Sequence, residues 1–250
     1  MLPGKRQNVS NSAEALLRGG AIATAVLSTS FSAVQANDLQ TRSCPGPVHI
    51  RGEFRELATF ICDAVKQSRK LLEPCGLVQT RPITVEIVSQ MDEKHEACVA
   101  YFDCNADKLT LLAPTALASS GDVIPAFRRL PEDEYYRSVI VHELTHAFSH
   151  QSHPKKFTRV AHEYLAYAFQ IASLSEEGRS SVLGASQLPK ANGLDVVDEV
   201  ALLFGPSQFA TRSYRHFSRP ENGCSFIDRM INSDPEVPEA FSMDGTEVDQ

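Results

Sequence analysis

The sequence predicts an α+β domain. A small, mostly antiparallel sheet of about three to four strands packs on a pair of helices, and a helical part follows at the C-terminal end. Three observations carry this. Short β-branched, alternating segments cluster between residues 83 and 112. Two long helix-compatible stretches follow, joined by a short polar turn. After Gly178 the pattern is helical again in three segments, before an acidic C-terminal end.

Residues 20–35 are small and apolar, Lys5, Arg6 and Arg18 precede them, and Val34-Gln35-Ala36 offers a small-residue cleavage site. This is the layout of a secretory signal peptide over residues 1–36. The run is shorter and more polar than a membrane anchor requires. The expectation is cleavage after Ala36, with no stable membrane anchor, and a periplasmic or secreted protein. The folded domain is then residues 37–232.

Arg51 to Leu72 reads as a helix with Phe54, Leu57, Ile61, Val65 and Leu72 on one face. Pro74-Cys75-Gly76 ends it. Ile83–Val88 alternates and is rich in β-branched residues, so it reads as a strand. Ala97–Asp103 and Lys108–Leu112 read as two more strands, joined by the turn Asn105-Ala106-Asp107. Ala113 to Leu130, with Pro114, Gly121 and Pro125, is a connection holding one short helix. Further helices are expected over Leu194–Phe204, Ser207–Phe217 and Pro220–Ile231. Residues 233–250 read as a disordered acidic tail.

The six cysteines all follow the leader. An even count in an exported chain points to disulfides, and sequence alone leaves the connectivity open. The expected pairs are Cys98–Cys104, Cys62–Cys75 and Cys44–Cys224. The net charge is −7 and no basic cluster is present, which argues against a nucleic-acid partner.

The segment that carries chemistry is His142-Glu143-Leu144-Thr145-His146. It sits in an apolar run that the Pro131-Glu132-Asp133-Glu134 start marks as a helix over about Glu132–His150. Residues four apart share a helix face, so both imidazoles can address one metal ion. Glu143 is placed to act as general base on a water at that ion. Two histidines are one ligand short of a catalytic zinc site. His150 lies about 12 Å along the helix from His142, too far to share the ion. His153 misses the third-histidine position of the longer metzincin pattern by one residue, and the Gly of that pattern is absent. A second helix, Thr158 to Leu174, follows a short turn and brings Glu163 toward the histidine pair. His162 is the alternative third ligand beside it.

With this spacing the chain resembles the gluzincin branch of the zincin metallopeptidases. There a Glu on the helix after H-E-x-x-H completes the site. The usual N-E-x-x-S/D form is absent, since Ala161-His162 precede Glu163 and Ala166-Tyr167 follow it. The resemblance implies a zincin-like fold over roughly residues 80–175 and one catalytic Zn²⁺ held by His142, His146 and Glu163. It implies Glu143 as base and a peptide or protein substrate, which the strand Lys108–Leu112 would receive as the sheet edge. Tyr167, Tyr214 and His216 are possible donors to an oxyanion. One rival is a catalytically inactive zinc-binding periplasmic protein, a pseudopeptidase serving as a binding or assembly factor. The other is a disulfide-rich structural module with a fortuitous motif.

Overall fold

In the computed structural model the described residues are 42–52, 56–117, 124–154, 156–185 and 198–232. The expected signal peptide and acidic tail lie outside them. Five strands form one mixed sheet: β1 (Arg42–Cys44), β2 (Val48–Arg51), β3 (Ile83–Val88), β4 (Ala100–Asp103) and β5 (Lys108–Leu112). Their spatial order is β1-β2-β3-β5-β4. β1 and β4 run antiparallel to their neighbours, whereas β2, β3 and β5 are mutually parallel. The fold class is α+β as expected, but the sheet is larger than expected and not mostly antiparallel.

The reason lies at the N-terminal side. β1 and β2 are three and four residues long, and Pro45 and Pro47 interrupt the sequence between and beside them. Such short, Pro-broken segments carry little strand signal. The helix α1 (Leu57–Leu72) then serves as the crossover that parallel pairing of β2 and β3 requires. It starts later than Arg51. Gly52 adopts φ +131° beside the Ile87 carbonyl, a backbone region that suits glycine.

β3 repeats the expected alternation, with Ile83, Val85 and Ile87 buried. β4 and β5 form the expected hairpin, and Asp107 turns it at φ +46°. The order of the sheet corrects one expectation. Lys108–Leu112 is interior, paired on both sides, and β4 is the edge.

Eight α-helices are present among the described residues. Besides α1 they are α2 (Pro114–Leu117), α3 (Glu132–Ser152), α4 (Arg159–Ala172), α5 (Glu176–Gly184), α6 (Glu199–Phe204), α7 (Pro206–Phe217) and α8 (Cys224–Ile231). None is long and apolar enough to cross a membrane. The two helices that matter for the site match expectation within two residues at each end. α3 is central: Tyr136, Ile140, Leu144, Ala147 and Phe148 are almost fully buried, and it packs against α1, α4 and β4. At about 1.5–3 kcal/mol per buried large side chain, this burial holds the motif helix in place. α4 starts at Thr158, whose hydroxyl accepts from the Ala161 N–H. Its small Ala161, Ala166 and Ala168 are buried, and α4 packs against both α3 and α7. α8 begins four residues later than expected because residues 218–223 form turns, ending at Gly223 with φ +54°.

Two disulfides tie the domain, with pairings other than those expected. Cys44–Cys62 joins β1 to α1, and Cys75–Cys224 joins the turn after α1 to α8. Cys62 and Cys75 stand 13 residues apart along α1 and its extension, which at 1.5 Å per residue is about 20 Å. A disulfide needs Cα atoms within about 7 Å. Cys98 and Cys104 flank β4, and an extended strand holds its ends apart. Both are thiols.

Candidate metal centre

α3 carries His142 and His146 one turn apart, and α4 carries Glu163 in its second turn. The tertiary fold brings the three together. The two Nε2 atoms lie 3.2 Å apart. Glu163 Oε2 is 3.7 Å from His142 Nε2, and Glu163 Oε1 is 3.7 Å from His146 Nε2. Ligands about 2.0–2.1 Å from a tetrahedral zinc stand about 3.4 Å from one another. The observed triangle is close to that size, and the group could hold a metal ion. All three residues expected as ligands are therefore in this group.

Other histidines near the pair are not. His162, the alternative ligand, turns away: its Nδ1 is 2.9 Å from the Ser149 hydroxyl and its ring packs on Phe157. His150 lines the same cleft but is outside the ligand group. His153 ends α3 and packs its ring edge-on to Phe157.

The electrostatics favour a cation. Burial, reinforced by the neighbouring His146, pushes the His142 imidazole down to about 4. Burial, with His162 nearby, pushes His146 down to about 3. Both rings are therefore neutral at ordinary pH, the form that binds metal. Glu143 is 8% exposed. Burial first, and the Glu163 charge second, raise its carboxyl to about 8. The Phe102 backbone on β4, nearby, opposes that rise. A divalent cation beside Glu143 would act in the same direction, because it favours the carboxylate.

The site opens into a cleft of about 600 Å³. One wall is the segment from Lys94 to Cys104. There His95 stacks on Tyr101 with ring centres 3.8 Å apart, and Asp92 accepts from both His95 Nδ1 and the Tyr101 hydroxyl. Tyr167 stands edge-on to His142 with ring centres 4.7 Å apart, and burial raises its phenol pKa. Tyr135 also lines the cleft, its phenol pushed up to about 12 by burial and by Glu143. Of the expected oxyanion donors, Tyr167 is in the cleft. Tyr214 lies under the Arg179 guanidinium instead, and His216 bonds the Tyr164 hydroxyl at 2.8 Å.

Sequence reasoning missed Gln170. Its Oε1 lies 3.0 Å from His142 Nδ1. A signal was available: it is the polar residue in the run Tyr164–Ile171, two turns beyond Glu163 on the same helix face.

Residues 48–237 match a protein family described as a family of unknown function, DUF6639. No curated protein and no solved structure matches the chain. The family match takes in every element from β2 to α8, including the three residues that could hold a metal ion. The chain therefore belongs to DUF6639, a family of unknown function.

Proposed function

We propose that the protein is an exported zinc-dependent hydrolase, a zincin-type metallopeptidase. The observation that carries this reading is the His142–His146–Glu163 triangle, with distances of 3.2, 3.7 and 3.7 Å, beside a buried Glu143. Three protein ligands with an open fourth position is the catalytic zinc pattern, whereas structural sites are closed by four. When bound, such an ion acidifies water and polarises a carbonyl.

The chain's own residues do the rest. Glu143 takes a proton from the attacking water and delivers it to the leaving amine. Tyr167, its proton held at working pH by burial, donates to the developing oxyanion. β4, the half-buried sheet edge along the cleft, receives an extended peptide as an added strand. Export is supported by the leader over residues 1–36 and by two disulfides.

A second reading is a zinc-binding protein without hydrolase activity. The raised Glu143 carboxyl favours it, because an acid that burial keeps protonated up to about pH 8 is not a ready base. One experiment separates the two: zinc content of the purified protein, then cleavage of a mixed peptide library with and without chelator. Chelator-sensitive cleavage supports the peptidase. Bound zinc without cleavage supports the second reading. Absence of bound zinc sinks both.

A further inference from the structure

Gln170 is 4% exposed, and both ends of its amide are engaged. Its Oε1 faces His142 Nδ1 at 3.0 Å, and its Nε2 lies 3.2 Å from the Ser138 hydroxyl oxygen. Ser138 in turn donates to the Tyr135 carbonyl at 2.7 Å, within α3. A hydroxyl has one proton. That of Ser138 is committed to Tyr135, so its oxygen is left only to accept. The Gln170 amide must then present its NH₂ to Ser138 and its oxygen to His142. An amide oxygen only accepts, so His142 must carry its proton on Nδ1. The lone pair is left on Nε2, the atom 3.2 Å from His146 Nε2 and 3.7 Å from Glu163 Oε2.

We propose that Gln170 and Ser138 are positioning residues that fix His142 in its Nδ1–H tautomer and aim its Nε2 at the metal. The proposal rests on the metal-binding reading above. Its direction comes from the helix itself: the Tyr135 carbonyl orients Ser138, Ser138 orients Gln170, and Gln170 orients the ligand. A neutral amide does this without adding negative charge to the site, unlike the carboxylate that often backs a metal-bound histidine. A reversed amide would offer NH₂ to Nδ1, move the imidazole proton to Nε2, and block the ligand atom.

The test uses the full-length protein, zinc alone as ligand, and two readouts besides activity. Chelator competition measures zinc affinity. Long-range ¹H–¹⁵N spectra of the metal-free, histidine-labelled protein report which nitrogen of His142 carries the proton, with the resonance assigned by His142→Ala. The parent should show Nδ1–H. Gln170→Met, which keeps length but not hydrogen bonding, should weaken zinc binding about 10- to 100-fold. Gln170→Glu, which restores an acceptor, should return most of that loss. Ser138→Ala, which frees the amide to reverse, should fall between. Zinc affinity of Gln170→Met equal to the parent's would overturn the proposal, and so would an Nε2–H tautomer in the parent. If Gln170→Met does not fold, Ser138→Ala and the parent's tautomer decide. If the parent binds no zinc, the metal reading fails, while the tautomer is still read in the metal-free protein.

Discussion

Phe102 on the edge strand β4 and Glu143 on the motif helix α3 line the same cleft. That strand and that helix thus meet beside the acid assigned as general base. An edge strand is open on one side, so the group that would activate water and the backbone that would align a peptide share one wall of the cleft. In the peptidase reading, an added strand lies alongside the base.

Glu143→Gln separates binding from chemistry. The variant should hold zinc as tightly as the parent, since Glu143 is outside the ligand group. Hydrolysis should fall about 10²- to 10⁴-fold with loss of the base. Zinc titration followed by peptide cleavage checks both halves. Cleavage at the parent's rate would mean that another group takes the proton.

Glu163 and His162 are adjacent in sequence but face different groups. Glu163→Ala should weaken zinc affinity by more than the roughly 10- to 100-fold typical of an outer-shell loss. His162→Ala should leave affinity near the parent's, because that ring is bonded to Ser149 and packed on Phe157. Chelator competition on the two variants discriminates, and the reverse ranking would reassign the third ligand.

The metal-free protein should be destabilised at both ends of the pH range. His142 and His146 sit near 4 and 3 in the folded state, against an ordinary 6.5. The stability they contribute is present above about pH 6.5 and is lost as pH falls through those values. Glu143 acts with the opposite sign. Its folded pKa near 8 lies above the ordinary 4.5, so its contribution is present at low pH and lost as pH rises through 8. Melting temperature against pH, in chelator, reads both limbs. Glu143→Gln should remove the alkaline decline and keep the acid one. A parent curve flat from pH 5 to 9 would contradict the assignment for Glu143.

Mass mapping of the unreduced protein should recover Cys44–Cys62 and Cys75–Cys224 peptides and no peptide joining Cys98 to Cys104. Replacing Cys75 and Cys224 by Ser should cost about 2–5 kcal/mol in chemical denaturation, because that bridge spans 149 residues of chain. A variant as stable as the parent would show that packing of α8 alone closes this part of the fold.

What the sequence determined by itself is local. The helices α3 and α4, the strands β3 and β5, and the His142-Glu143-x-x-His146 face follow from periodicity, capping and spacing over a few turns of chain. The pairing of Glu163 with the two histidines was also within reach, because a short turn joins its helix to theirs. Some missed features were legible too: a bridge from Cys62 to Cys75 would span a helix, and one from Cys98 to Cys104 would span a strand. Other features depended on tertiary structure, because they join groups distant in sequence. The parallel pairings of β2, β3 and β5 moved the sheet edge from Lys108–Leu112 to β4. Packing of α4 on α3 chose Glu163 over His162, set Gln170 against His142 across 28 residues of sequence, and buried Glu143 beside a strand edge. A five-residue motif specifies which atoms can bind a metal. The fold decides which other groups face them, and hence their tautomers and pKa values.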